Sequence, residues 1–132
     1  MIKKFIVLFF LQLFVIHPSL SIEKETTFNK ELFNKAQFDG KIVIVSSWIK
    51  YCSSCASQMK VLNKAKNDGN LLDIKFENIE YFSFDVTNKE IANLLNVKFQ
   101  TTLLIYKNNK EIYRSLGETT KDLIYEALKK VI

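Results

Sequence analysis

Two cysteines three residues apart, in Cys52-Ser53-Ser54-Cys55, are the residues of this chain whose types and spacing carry chemistry. Cysteines so spaced at the start of a helix can bridge within one turn. A thiol at the helix N-terminus also gains from the dipole and the unpaired amides there, which favour its thiolate. Position should make the two unequal, with Cys52 exposed at the terminus and Cys55 tucked beneath it. Lys50 adds a positive charge nearby, so the expected direction for the Cys52 pKa is down. The chemistry is thiol–disulfide exchange: Cys52 attacks a disulfide, forms a mixed disulfide, and is released when Cys55 attacks in turn. Two plainer readings stand beside it, a structural disulfide and a pair of buried thiols with no role, since cysteine is among the most buried residue types. Placement between a strand and a helix favours the reactive reading.

The rest of the composition narrows the field. In 132 residues there is one His, one Trp and one Pro, with 25% charged and 48% hydrophobic residues. That is a globular composition of single-domain length. Two cysteines cannot make a disulfide-dense scaffold, and with one His they are too few for a structural zinc site. The His and the Pro, His17 and Pro18, fall in an N-terminal segment that reads as a signal peptide: Lys3 and Lys4, an apolar run from Phe5 to Ile16, then Ser19 and Ser21 before the cut. The run is too short to span a hydrocarbon layer of about 30 Å, which argues against an uncleaved anchor. No Cys stands near the cut, which argues against a lipoprotein. The expected division is a signal peptide over residues 1–21 and a single domain over 22–132, beginning at Ile22. Lys3 and Lys4 leave with the leader, so Lys+Arg falls from 19 to 17 against 14 acidic residues, net +3 on 111 residues without His or Pro. The lysines alternate with acids and asparagines, a solvated face and not a nucleic-acid or membrane patch.

The elements around the cysteines follow from periodicity. Asn29 should cap a helix through about Gln37, with Leu32, Phe33 and Ala36 at helical spacing and Asp39-Gly40 as its stop. Lys41 to Trp48 is a β-branched run of strand length, buried on both faces. Met59, Leu62 and Ala65 continue the helix that starts at the cysteines, until Asp68-Gly69-Asn70. Tyr81 to Val86 reads as a second inner strand, and Asn88 to Leu95 as a short helix turning Ile91, Leu94 and Leu95 inward. Thr101 to Tyr106 and Glu111 to Ser115 form a hairpin across Asn108-Asn109, which tolerate positive φ. A last helix, capped by Thr119 or Thr120, presents Leu123, Ile124, Ala127, Leu128 and Val131. Phe76, Phe82, Phe84 and Tyr106 are expected in the core or sheet. With a short strand before the first helix, the order predicts an α/β domain with a mixed central β-sheet flanked by helices.

At this point the sequence resembles the thioredoxin family over nearly the whole of 22–132. Ile42 to Cys55, with Trp48 four residues before the first cysteine and Tyr51 where the family usually has a second Trp, is similar to that family's strand and CxxC segment. Phe82 to Val86, ending in Asp85, resembles its third strand; Val97 to Tyr106 resembles the loop and strand facing the active site; Gly117 matches the glycine before the final helix. The resemblance implies a thioredoxin fold with Cys52 attacking and Cys55 resolving, and with Trp48, Lys50, Tyr51, Ser53 and Ser54 as their support. It implies a substrate-facing loop at Phe99, Gln100 and Thr101. Trp48 is expected to pack under the site more than to touch substrate.

Three positions depart from the family pattern. Thr101 stands where the family places a cis-proline, so either a costly cis bond is held by the fold or the loop runs trans and is reshaped. Ser46 stands where many members have a buried Asp that moves protons for the resolving cysteine; a serine is no base near neutral pH, so Cys55 should exchange its proton with water or another acid. Ser53-Ser54 is neither the Gly-Pro of reducing members nor the His-containing pair of oxidising ones.

The function expected from sequence is an exported thiol-disulfide oxidoreductase with protein thiol and disulfide substrates, an upstream redox partner, and no cofactor beyond its own dithiol. Its compartment is extracytoplasmic, in the secretory pathway or a bacterial periplasm, with no nucleic acid and no membrane after cleavage. Two other classes stay open: a thioredoxin-fold binding subunit of a larger assembly with a structural disulfide, and a protein whose two thiolates hold a soft metal in a dimer.

Overall fold

The computed structural model describes residues 27–67, 70–71, 74–75 and 78–131. The proposed leader, the stop at Asp68-Gly69 and Phe76 lie outside the described residues. Helix α1 (Lys30–Phe38) begins at Asn29, whose side chain accepts the Leu32 amide at 3.0 Å. It ends at Asp39, followed by Gly40 at φ +73°. Strand β1 (Ile42–Trp48) leads to α2 (Ser53–Asn67), followed by the two-residue strands β2 (Asn70–Leu71) and β3 (Ile74–Lys75), which the sequence reading lacked. Strand β4 (Ile79–Asp85) starts two residues earlier than expected; α3 (Lys89–Leu94), β5 (Thr102–Lys107), β6 (Lys110–Leu116) and α4 (Lys121–Val131) complete the order.

The main sheet runs β4-β1-β5-β6, with β1 parallel to β4 and antiparallel to β5, and β5 antiparallel to β6. It is therefore mixed. The turn between β5 and β6 is the expected Asn108-Asn109 pair, at φ +53° and +60°, the left-handed conformation that asparagine tolerates. Thr27 adds an isolated parallel bridge to Ser83 on the outer edge of β4.

Strand periodicity sorts the core into two halves, because alternate side chains leave a strand on opposite faces. Val43, Val45, Phe82, Phe84 and Leu104 pack with Phe33 and Ala36 of α1 and Ala92 of α3. Ile42, Ile44, Tyr81, Leu103 and Ile105 pack with Leu62 and Ala65 of α2 and Ile124 and Leu128 of α4. So β1 is covered on both sides, and its apolar run Ile42–Val45 needs no polar face. Three leucines placed inward by helical spacing are out in solvent instead: Leu32 at 54%, Leu94 at 47% and Leu123 at 51%. Each sits beside a residue that occupies the core position, Phe33, Leu95 and Ile124, so the buried stripe of each helix is narrower than its apolar content.

Burial pushes three phenols upward: Tyr81, Tyr106 and, nearer the surface, Tyr113. Tyr81 is raised, burial outweighing the opposing hydrogen bond from Ser46; Tyr106 is pushed up to about 12, burial leading and the Glu111 carboxylate adding to it. In the unfolded chain these groups ionise near the ordinary 10.0, so the folded state holds more protons above that pH and stability must fall with rising pH. The Tyr106 contribution is complete below pH 10 and is lost as the pH climbs through about 12. Urea unfolding across that window should show a falling midpoint, with phenolate absorbance developing in step with unfolding. Tyr106→Phe should flatten the decline; an unchanged slope would contradict the assignment.

Candidate active site

The cysteine pair sits where β1 hands over to α2. After Trp48, held by its carbonyl to the Val86 amide at 2.8 Å, the chain turns through Lys50 and Tyr51, the latter at φ +62°. Cys52 then takes the N-cap position. Its Sγ accepts the amide of Cys55 at 3.2 Å, as a capping serine or aspartate oxygen would, and its carbonyl accepts the first helical bond from Ala56 at 3.1 Å. Cys52 and Cys55 form a disulfide with their Cα atoms 5.3 Å apart. The two sulfurs are unequal as expected: Cys52 is half-buried, whereas Cys55 is 2% exposed. An amide at the sulfur of Cys52 is a donor already aimed at a thiolate there.

The loop facing the pair is built differently from the family pattern. None of the described peptide bonds is cis, so the bond before Thr101 runs trans, and Thr101 adopts φ +59°. A β-branched residue rarely takes that conformation. What holds it is a set of bonds centred on Ser47, the last but one residue of β1. The Thr101 amide donates to the Ser47 carbonyl at 2.8 Å, a bond a proline could not make. Ser47 Oγ donates to the Phe99 carbonyl at 2.8 Å and accepts the Thr102 amide at 3.0 Å. Behind the loop, the Thr101 carbonyl accepts from Gly117 N at 3.0 Å and from Gln58 Nε2 at 3.3 Å. Gln58, fully buried one turn beyond Cys55, also donates to the Glu118 carbonyl at 2.8 Å. The loop is thereby tied to β1, α2 and the end of β6.

These bonds place the Thr101 hydroxyl against the disulfide: Oγ1 lies 3.2 Å from Cys55 Sγ, 3.7 Å from Cys52 Sγ and 3.1 Å from Ser54 Oγ. Ser54 Oγ lies 3.3 Å from Cys52 Sγ. Ser46, by contrast, is fully buried and pairs with the Tyr81 hydroxyl at 2.7 Å. Because that phenol is held above its ordinary range, the Ser46–Tyr81 pair offers no proton acceptor near neutral pH.

Of the residues singled out from sequence, Cys52, Cys55, Ser54 and Thr101 are brought into mutual contact. Trp48, Tyr51, Cys52 and Ser53 line a groove of about 860 Å³ with Met59, Phe84 and Ile91. Trp48 is half-buried and on that wall, so it serves packing and groove together. Lys50 is exposed, as are Gln100 and Phe99, the last at 59%. Sequence reasoning missed Ser47 and Gln58. Their signals were present: two serines ending an apolar strand run, and a glutamine three residues after Cys55 on the same helix face.

A mixed four-stranded sheet between two pairs of helices, with a bridged CxxC pair at a strand–helix junction, defines a thioredoxin-fold protein. The family model described as Thioredoxin matches residues 19–130, and the chain belongs to that family. Among solved structures it is similar to Trxlp from Edwardsiella tarda EIB202, with 24% identity over 76% of this chain and 93% of that one and a TM-score of 0.67. Fasciola hepatica thioredoxin is similar at 20% identity, covering 76% and 88%, with a TM-score of 0.61. The germline-specific thioredoxin Deadhead of the fly is similar at 13%, covering 81% and 96%, with a TM-score of 0.63. Likeness at this identity speaks to fold. The search of curated proteins finds no match. Family and cysteine pair together support a thiol-disulfide oxidoreductase in general terms.

Proposed function

We propose that the protein is an exported thiol-disulfide oxidoreductase that exchanges disulfides in protein substrates, with Cys52 as nucleophile and Cys55 as resolving residue. The observation that carries this reading is the inequality of the two sulfurs, one half-buried and capped by an amide, the other enclosed. A substrate sulfur can approach Cys52 from the groove, where Cys52 presents far more surface than the enclosed Cys55 and lies within bonding reach of it. The dithiol is its own redox group, and an upstream partner resets it after each turnover. The basic start, short apolar run and Ser19/Ser21 site support removal of residues 1–21 and work outside the cytoplasm, where disulfides persist.

The test is a trap. Cys55→Ser should accumulate mixed disulfides between Cys52 and its substrates, visible as reductant-sensitive adducts on non-reducing gels from the native compartment, and wild type should show almost none. A variant that captures nothing, together with a pair whose potential lies below about −300 mV, would leave a structural disulfide in its place.

A further inference from the structure

A resolving cysteine must lose its proton before it attacks, and Cys55 is 2% exposed. It touches the groove floor with only that small area, so its direct contact with bulk water is slight. The Ser46–Tyr81 pair accepts no proton near neutral pH. Charged and titratable groups near the pair include Lys50 and Tyr51 on its own loop, Asp85, which lines the same groove, and Glu118, whose carbonyl accepts from Gln58. Asp85 Oδ1 accepts from the Thr87 amide and hydroxyl, and the Glu118 carboxylate accepts from Tyr113 and Ser115. None of these groups hydrogen-bonds to either sulfur. Among the described residues, the side chains that do are Thr101 and Ser54.

We propose that the Thr101 and Ser54 hydroxyls form a proton relay between Cys55 and solvent, a role that rests on the exchange activity argued above. In the disulfide neither sulfur carries a hydrogen, so the hydroxyls are the donors. Thr101 Oγ1 lies 3.2 Å from Cys55 Sγ and 3.1 Å from Ser54 Oγ. When Thr101 donates to Cys55 Sγ, the Ser54 hydroxyl is placed to donate to Thr101, and in the opposite orientation the Ser54 hydroxyl donates to Cys52 Sγ at 3.3 Å. Ser54 is exposed and Thr101 is 4% exposed, so the chain of hydroxyls runs from water to the buried sulfur. In the resolving step the Cys55 thiol passes its proton to Thr101 Oγ1 while Thr101 passes its own to Ser54 and Ser54 passes one to water. The Cys55 thiolate attacks Cys52 Sγ; the Cys52–Cys55 bond forms and the bond from Cys52 to the substrate sulfur breaks. The electron pair leaves on the substrate sulfur, which takes a proton from solvent. The substrate disulfide has then gained two electrons, and the dithiol has lost them. In the reverse direction the same hydroxyls return the proton to Cys55. A proline at residue 101 could not do this, and the left-handed backbone that a trans Thr101 adopts is what aims its hydroxyl at the sulfur.

The experiment separates the two steps with an aromatic disulfide, dithiobis-nitrobenzoate, mixed with the reduced full chain. One coloured thiolate leaves when Cys52 attacks and a second when Cys55 resolves the adduct. Thr101→Val keeps the shape and removes the hydroxyl; it should slow the second phase by about tenfold or more and move the rise of that phase to higher pH, while the first phase changes by less than about threefold. Thr101→Ser should restore the second phase. Ser54→Ala, at an exposed position where folding is not at stake, should slow the second phase selectively. An unchanged second phase in both Thr101→Val and Ser54→Ala, equal slowing of the two phases, or no rescue by serine would overturn the relay. If the wild-type protein shows no first phase, the exchange activity itself fails, a result distinct from loss of the second phase alone.

Discussion

Cys52→Ser is expected to abolish disulfide exchange, dropping the rate to below about one-thousandth of wild type, while the protein stays folded. The size of the loss follows from exposure. Cys55, 2% exposed on the floor of the groove beneath Cys52, offers a protein substrate almost no surface, so it substitutes poorly for the missing nucleophile. The survival of the fold follows from the cap. A serine Oγ at residue 52 can accept the Cys55 amide that Cys52 Sγ now accepts at 3.2 Å, and serine is among the favoured N-cap residues. What the variant does lose is the covalent link. A loop this short constrains the unfolded chain weakly, so the cost should be about 2 kcal/mol. Insulin-type reduction assays and urea unfolding under reducing and oxidising conditions measure the two halves. Residual exchange above the stated level would show that Cys55 is reachable and would undo the division of roles between the sulfurs.

How much of this site is legible in the sequence depends on how local each signal is. The cysteine spacing, the apolar strand before it and the Asn108-Asn109 turn are set by neighbours in sequence, and the structure reproduces them. Helix faces were read less well. Leu94 and Leu123 have the right spacing for a core position, but an adjacent residue takes it, and only packing decides between the two. Phe99, Gln100 and Thr101 were placed by family resemblance, which located the loop but not its conformation. The contact of Thr101 with Cys55 joins residues 46 positions apart. It depends on the backbone turn at residue 101, which depends in turn on Ser47, a residue with no recognisable motif.

That dependence makes residue 101 the sharpest place to separate this chain from the usual pattern of its family. Thr101→Pro should destabilise the protein by about 3 kcal/mol or more, although proline is what the family normally places there. Proline holds φ near −65°, and the site requires +59°. It also deletes the amide that donates to the Ser47 carbonyl at 2.8 Å, leaving that carbonyl, at a fully buried residue, short of a partner. Thr101→Gly is the counterpart. Glycine adopts φ +59° without steric cost and keeps the amide, so relief of roughly 1 kcal/mol of backbone strain offsets its larger chain entropy in the unfolded state. Its stability should stay within about 1 kcal/mol of wild type, although it lacks the hydroxyl that contacts Cys55. Urea midpoints for the two variants should therefore diverge in opposite order to their likeness to other thioredoxins. Equal stability of Thr101→Pro and wild type would mean that the loop re-forms around proline at no cost, and that the bonds to Ser47 do not determine its conformation.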